Sequence, residues 1–125
     1  MVQFNNNLNQ INQDFFCVID LETTGTDPLT DQIIEVGVLV FKGDEIINSF
    51  ESLVKSSRPI PPFVTELTGI SDFDLIDAPE FDSISEVLTD LIKNLPIVGH
   101  NVNFDLGFLK NYGLSFDNLV FDTLD

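Results

Sequence analysis

Two carboxylates follow an apolar run early in the chain, with a single residue between them. The run from Phe15 to Ile19 predicts a buried strand, and Asp20 and Glu22 come directly after it. Because successive strand residues point to opposite faces, these two side chains point the same way, with Cα atoms roughly 6.5 Å apart. Like charges held this close favour the uptake of a proton, or of a cation between them.

Divalent metal chemistry is one interpretation of this pair. Hard cations such as Mg²⁺ and Mn²⁺ prefer carboxylate oxygens, and two such ions about 3.5–4 Å apart suit phosphoryl transfer. The competing interpretation is a solvated strand end that leads into the turn at residues 24–28, TGTDP. Composition alone gives the two interpretations equal weight.

A third carboxylate, Asp105, favours the metal interpretation. We predict that Ile97-Val98 is a short buried strand and that Asn103–Asn111 is a helix, which puts Asp105 in the first turn of that helix. Since the ends of neighbouring strands meet, this side chain would face the first two acids, and three converging acids are hard to accommodate without a metal ion. Taken alone, Asp105 is equally consistent with the routine stabilisation of a helix N-terminus.

The composition predicts one small globular domain with a strong negative charge. The 125 residues are 43% hydrophobic and include 21 acids and 5 bases, for a formal net charge of −16. Such a surface does not bind nucleic acid through phosphate contacts alone, but bound divalent cations or a basic partner would permit it. No run reaches the roughly 18 apolar residues of a membrane span. The single cysteine, Cys17, is predicted to be a buried thiol, which fits a cytoplasmic protein.

The order of predicted elements indicates a mixed sheet with helices on its faces. The predicted strands are 15–19, 33–41, 46–54, 97–98 and 119–121, and the predicted helices are 63–67, 81–95 and 103–111. Tight turns between the first three strands predict an antiparallel meander. Residues 1–14 are interpreted as a polar tail, and residues 15–125 as the domain.

Local signals mark the ends of the predicted helices. Pro61-Pro62 would open the short helix and Gly69 would end it. Asp77 with Glu80 resembles a capping box before the longer helix, which Pro96 would stop.

The motifs around these acids resemble those of the DEDD exonucleases. DLETTG at residues 20–25 is similar to the first family motif, Asp-x-Glu-x-Thr-Gly, and HNVNFD at residues 100–105 is similar to the second, His-Asn-x-x-Phe-Asp. TGI at 68–70 resembles the element that approaches the terminal nucleotide, and FDTL at 121–124 the strand that follows the second motif. The resemblance is closest to the DnaQ-like DEDDh branch, which includes the proofreading epsilon subunit of bacterial DNA polymerase III.

This resemblance implies an α/β fold of the ribonuclease-H-like type, a mixed five-stranded sheet with helices on both faces. The implied reaction removes nucleotides from the 3′ end of DNA with two divalent cations, Mg²⁺ or Mn²⁺. By the match, Asp20 would bridge both ions, Glu22 would bind the ion on the water side, and Asp105 would serve the other. These three residues are thus the expected catalytic residues and metal ligands.

The resemblance also assigns residues to the terminal nucleotide. Those expected to bind the substrate are Thr23, Leu67, Thr68, Phe104, His100 and Asn101. Stacking and wedging contacts of this kind suit any base. His100, the single histidine of the chain, is expected to hydrogen-bond beside the site rather than to act as the general base.

The family pattern continues with a third motif, His-x-x-x-x-Asp, which supplies the general base and the fourth metal ligand. The sequence as far as Asp125 does not contain it, so the resemblance covers the first two motifs and the C-terminal part of the fold is expected to be missing. A missing general base alone typically costs about 10²- to 10⁴-fold in rate. We therefore expect the 125-residue chain by itself to have little or no activity.

Two alternatives from other functional classes stay open. One is a non-catalytic module on the same fold that binds a nucleic-acid end or a polymerase, and the other is an acidic interaction domain that binds no metal. Within the exonuclease interpretation, DNA is preferred over RNA by resemblance alone. The expected partners are a single-stranded 3′ end and a DNA polymerase or helicase, without a membrane.

Overall fold

Three antiparallel strands, rich in β-branched residues, form the first half of the molecule. The computed structural model describes residues 14–123. Strand β1 spans Phe15–Thr23, β2 spans Ile33–Lys42 and β3 spans Glu45–Leu53. Val36, Val38 and Val40 alternate with more exposed residues along β2, as expected for a strand with one face on the core. The predicted meander is confirmed, since β1 pairs with β2 and β2 with β3, both antiparallel.

Helices and two short strands complete the sheet. Helix α1 spans Pro62–Thr68, α2 spans Phe81–Ile92 and α3 spans Val102–Asn111. Strands β4, Ile97–Gly99, and β5, Val120–Asp122, add in parallel beside β1, which gives the order β3-β2-β1-β4-β5. A mixed five-stranded sheet with helices is therefore confirmed.

The main core lies between one face of the sheet and helices α2 and α3. Helix α2 contributes Ile84, Leu88 and Ile92, and α3 contributes Phe108 and Leu109, all of them buried. Full burial of one such side chain is worth about 1.5–3 kcal/mol. This packing fixes α3 against β1, and the position of α3 decides where Asp105 lies.

A smaller apolar cluster holds α1 and the segment that follows it. Its members are Ile34, Ile60, Val64, Ile70 and Leu75. Gly69 ends α1 as predicted, with a left-handed φ of 80° that suits a residue without Cβ. A 3₁₀ helix at Asp72–Leu75, which the sequence analysis did not predict, carries the capping box of this region, formed by Ser71 and Asp74.

The predicted start of α2 at Phe81 is correct, but the predicted cap and the predicted end of this helix were wrong. Asp77 is not the cap, because Pro79 disfavours helical backbone at Ala78 and the cap position falls on Glu80, whose side chain makes no capping hydrogen bond. At the other end the helix stops at Ile92, before Leu95, because Lys93 adopts a positive φ of 45°. The helical spacing of apolar residues continues in the sequence to Leu95, but it does not show that the backbone leaves the helical conformation at Lys93.

Strand β1 is longer than its apolar run. Pairing with β2 continues to Thr23 opposite Ile33, so Asp20 and Glu22 lie inside the paired strand rather than beyond its end. Cys17 is fully buried, as predicted, and burial raises the pKa of its thiol to about 11. The predicted polar tail, apart from Asp14, lies outside the described residues. Among the described residues, no helix is long and apolar enough to cross a membrane.

Candidate active site

Strand β1 supplies the first two acids of the site. Asp20 lies opposite Gly37 of β2 and Glu22 opposite Glu35, and the register shifts directly after Glu22. Both acids share the sheet face opposite Cys17, Ile19 and Leu21, the core-facing residues of β1. Partial burial and the charge of Asp20 raise the pKa of the Glu22 carboxyl. The strand therefore presents two mutually repelling carboxylates, as the sequence predicted.

The third acid, Asp105, lies in the first turn of α3, near enough to Asp20 and Glu22 for their charges to act on its carboxyl. Parallel pairing of β4 with β1 carries the chain to that edge of the sheet, and the turn before α3 uses a left-handed Asn101 with φ 57°. The Asn101 N–H donates to the carboxylate of Asp122 at 2.8 Å, which fixes the start of the helix from β5. Asp105 accepts a hydrogen bond from the backbone N–H of Leu21.

The surroundings of Asp105 disfavour the charged form of its carboxyl. Its side chain is only 7% exposed. Burial, followed by the charges of Asp20 and Glu22, raises the pKa of its carboxyl to about 7, although the Leu21 hydrogen bond acts the other way. Asp122 adds a smaller repulsive contribution in the same direction. Two motifs far apart in the sequence are thus coupled at one place in the fold.

The donor set fits a hard divalent cation in its chemistry. Asp20, Glu22 and Asp105 offer only carboxylate oxygens, and the mutual repulsion that raises two of their pKa values is what a bound cation would relieve. Within residues 14–123, however, no group of three or more His, Cys, Asp or Glu side chains is already arranged to hold a metal ion. The three acids share an electrostatic field but do not form a closed coordination shell.

Two further acids extend the negative surface, and the sequence analysis missed them. Glu35 lies opposite Glu22 on β2, and the pKa of its carboxyl is raised by partial burial and then by Glu51, Glu22 and Asp20. Glu51 lies on β3 opposite Gly37. Their position could have been inferred only from the register of the two hairpins. A residue directly opposite Glu22 on an antiparallel strand lies on the same face of the sheet as Glu22.

A cleft beside the acids collects most of the predicted substrate-binding residues. It has a volume of about 510 Å³, and its lining includes Thr23, Leu67, Thr68 and Phe104 together with Glu22. Leu67 is 81% exposed and presents apolar surface to this cleft. The structure therefore brings the backbone after β1, helix α1 and helix α3 to one cleft.

His100 and Asn101 do not line this cleft. Both are exposed in the turn between β4 and α3. Asn101 acts there through its backbone, which meets Asp122. The side-chain roles predicted for these two residues stay predictions.

Phe63 is a cleft residue that the sequence analysis did not single out. It lies one turn before Leu67 on α1, is 66% exposed and lines the same cleft. The available signal was the i, i+4 spacing of two apolar residues on a short helix whose buried residue is Val64. An exposed aromatic ring beside an acidic site is a natural stacking surface for a nucleotide base.

The fold and the acids together define the class to which the chain belongs. Residues 17–124 match the exonuclease family, and the chain belongs to that family. The resemblance to DEDD exonucleases and the ribonuclease-H-like fold inferred from it are both confirmed.

The relatives that this chain matches are much longer than the chain itself. It is 39% identical over 114 residues to the PolC-type DNA polymerase III of Caldanaerobacter subterraneus subsp. tengcongensis, a match that covers 88% of the chain and 8% of the relative. It is 40% identical over 95 residues to the 3′-5′ exonuclease DinG of Staphylococcus aureus strain MRSA252, which covers 76% of the chain and 11% of the relative. The chain thus spans about a tenth of the length of these proteins.

Solved exonuclease structures share the fold. Exonuclease X in complex with 5′-overhanging duplex DNA superimposes with a TM-score of 0.67 at 26% identity, covering 86% of this chain and 59% of that one. The zinc-ion-bound complex of Escherichia coli exonuclease I with single-stranded DNA gives a TM-score of 0.75 at 21% identity, covering 90% and 28%. The latter likeness concerns the fold alone.

Proposed function

We propose that this chain carries a metal-dependent 3′-5′ exonuclease site that removes nucleotides from a single-stranded DNA end. The observation that supports it most is the coupling of Asp105 to Asp20 and Glu22, which raises the pKa of Asp105 to about 7. A purely structural domain gains nothing from burying one carboxylate beside two others. Membership of the exonuclease family gives that costly arrangement a chemical purpose.

Each part of the chain has a role in this proposal. Asp20, Glu22 and Asp105 would hold Mg²⁺ or Mn²⁺ ions, which when bound supply an activated water and stabilise the leaving 3′ oxygen. Phe63, Leu67 and Phe104 would hold the last nucleotide in the cleft. Apolar and stacking contacts serve every base, as removal of successive nucleotides requires.

The proposed setting is DNA replication in the cytoplasm, with proofreading as the specific role. Relatives named as a polymerase and as DinG support a DNA substrate and a polymerase or helicase partner. The net charge of −16 supports the need for cations or a basic partner at the nucleic-acid surface. RNA remains the alternative substrate, and a labelled DNA strand and an RNA strand of the same sequence separate the two.

A non-catalytic binding module is the second candidate. It is favoured by one observation, the lack of a ready-made metal cluster within residues 14–123. It predicts that a 3′-terminal DNA strand binds equally well with and without divalent cations. The exonuclease proposal predicts that binding near the acids depends on them.

Calorimetric titration of Mn²⁺ into the 125-residue chain tests the proposal. We expect binding in the micromolar to low-millimolar range that weakens by roughly 100-fold or more in Asp20→Ala, because one carboxylate at contact distance contributes several kcal/mol. Asp90→Ala, which removes an exposed acid on α2, is the matched control and should bind like the wild type. Equal affinity in all three proteins would mean diffuse binding to the acidic surface and would reject the site.

A second measurement separates the two candidates. If neither the wild type nor either variant binds Mn²⁺, but a single-stranded DNA end still binds, the non-catalytic module is the better description. Any release of nucleoside monophosphates from labelled DNA, even at the low level expected of this chain, would support the exonuclease directly if it is lost in Asp20→Ala.

A further inference from the structure

The loop that follows β1 is held by one carboxylate that the site described above does not use. Asp31 accepts a hydrogen bond from the Thr24 hydroxyl at 3.1 Å and another from the backbone N–H of Asp27 at 3.0 Å. Its two oxygens thus join both ends of the segment that begins directly after Glu22 and Thr23. The backbone adds a third tie, in which the N–H of Asp31 donates to the carbonyl of Asp27 at 2.7 Å.

Thr24 is the other half of this arrangement. It is one of two buried polar or charged residues found within residues 14–123, at 6% exposed. Its hydroxyl also accepts from the N–H of Gln32 at 2.9 Å, and its own N–H donates to the carbonyl of Gln32 at 2.8 Å. A buried threonine whose hydroxyl and backbone N–H are both hydrogen-bonded has little freedom to move.

Gly25 shows how closely Asp31 is packed. A Cβ built on Gly25 would lie 2.4 Å from a carboxylate oxygen of Asp31, so no larger residue fits while Asp31 keeps its place. The motif glycine therefore lies directly against the carboxylate. Both residues line the cleft that contains Glu22 and Thr23.

We infer that Asp31 is a positioning residue for the exonuclease site: with Thr24 it fixes the backbone of residues 23–27, and so the cleft wall and the direction of Glu22. The inference rests on the proposed function for its catalytic meaning. The register shift after Glu22 leaves that residue at the last regular pair of β1, where the following loop decides its orientation. Asp31 itself touches no substrate or metal in this scheme.

Two pairs of variants test the inference by binding and by structure. Asp31→Ala removes both acceptors, whereas Asp31→Asn keeps an oxygen for Thr24 and loses the acceptor for Asp27. Thr24→Val removes the hydroxyl at constant shape, and Thr24→Ser keeps it. Asp90→Ala is the charge control. Mn²⁺ affinity and the amide resonances and exchange rates of Glu22, Thr23 and Asp27 are measured in each protein.

We expect Asp31→Ala and Thr24→Val to weaken Mn²⁺ binding by roughly 10- to 100-fold, as removal of outer-shell support does elsewhere. They should also shift the amide resonances of Glu22 and Thr23 and speed exchange at Asp27. Thr24→Ser should restore both readouts, Asp31→Asn should fall between, and Asp90→Ala should change neither.

The two readouts distinguish failure of this inference from failure of the proposed function. Faster exchange at Asp27 with unchanged Mn²⁺ affinity and unchanged Glu22 resonances would overturn the positioning role and leave Asp31 as a loop support only. Lack of Mn²⁺ binding in the wild type would reject the metal site. The resonances of Glu22 and Thr23 would then still decide the inference, since unchanged ones would overturn it.

Discussion

The two halves of the candidate site are built in opposite ways. The β1 half, Asp20 and Glu22, is exposed or half-buried and lies on a strand paired along its whole length with β2. The α3 half is one buried carboxylate, Asp105, whose support comes from a three-residue strand, a left-handed turn and the side chain of Asp122. The strand gives rigid placement at little cost, whereas the helix gives burial at a high cost.

This difference separates affinity from stability. Exposed carboxylates lose little free energy on folding, so their removal should affect mainly what the site binds. A buried carboxylate next to two others opposes folding as long as it is charged. Replacements in the two halves should therefore have different effects, and the following four predictions test this from the largest effect to the smallest.

Asp105→Asn should stabilise the fold in a pH-dependent way. The pKa of this carboxyl is raised from 3.8 to about 7 in the folded state, so the folded chain binds the proton more tightly than the unfolded chain. Its destabilising contribution is absent below about pH 4, grows as pH rises to about 7 and is constant above. Denaturation in chelator should show the variant more stable by up to about 4 kcal/mol at pH 8 and equal to wild type at pH 4.

The sharpest contradiction would be a constant difference between the two proteins at every pH. That result would mean that ionisation of Asp105 does not destabilise the folded state. The contrast between the two halves of the site would then fail. With Mn²⁺ present, the wild type should recover stability at pH 8 and the variant should not.

Glu22→Gln should affect binding with little effect on stability. We expect Mn²⁺ affinity to fall roughly 10- to 100-fold because a charged ligand becomes neutral at the same size. The free energy of unfolding should change by less than about 1 kcal/mol, since Glu22 is only half-buried. Calorimetry and urea denaturation of one preparation give both numbers. A stability gain as large as that of Asp105→Asn would erase the distinction between the halves.

Asp122→Ala should loosen the start of α3. It removes the acceptor of the Asn101 N–H at 2.8 Å, a charge-assisted bond at a site exposed to water, and should cost about 1–2 kcal/mol. Asp122→Asn keeps an oxygen and should cost less. Amide exchange at Asn101 and Val102 is the direct measurement, and protection unchanged in Asp122→Ala would show that β5 does not hold the helix.

The sequence predicted the β1 half better than the support of the α3 half, for a physical reason. Strand alternation places Asp20 and Glu22 on one face whatever the rest of the fold does. The convergence of Asp105 needed only the parallel pairing of β4 with β1, which the element order favours. Its support by Asp122 is a contact across the sheet, made through a turn whose φ no periodicity encodes.

Errors elsewhere have the same origin. The capping box assigned to Asp77 and Glu80 satisfied the pattern, but the effect of Pro79 on the preceding backbone overrode it. Glu35 and Glu51 were missed because their faces depend on hairpin register, and the β2–β3 pair contains a shift after Val40. Asp31 was missed because it contacts Thr24 within an irregular loop, where residue spacing has no helical or strand periodicity to analyse.

The smallest expected effect concerns the left-handed turn itself, at Asn101. Its φ of 57° is a conformation that asparagine tolerates better than alanine and that glycine adopts freely. Asn101→Ala should therefore cost about 1 kcal/mol, and Asn101→Gly should be neutral within about 0.5 kcal/mol because relief of strain offsets the added chain entropy. Urea denaturation of the pair isolates the backbone, since both variants lose the same side chain. If both variants also lost Mn²⁺ affinity equally, the side-chain carboxamide of Asn101 would itself take part in binding. The α3 half would then depend on more than the placement of Asp105.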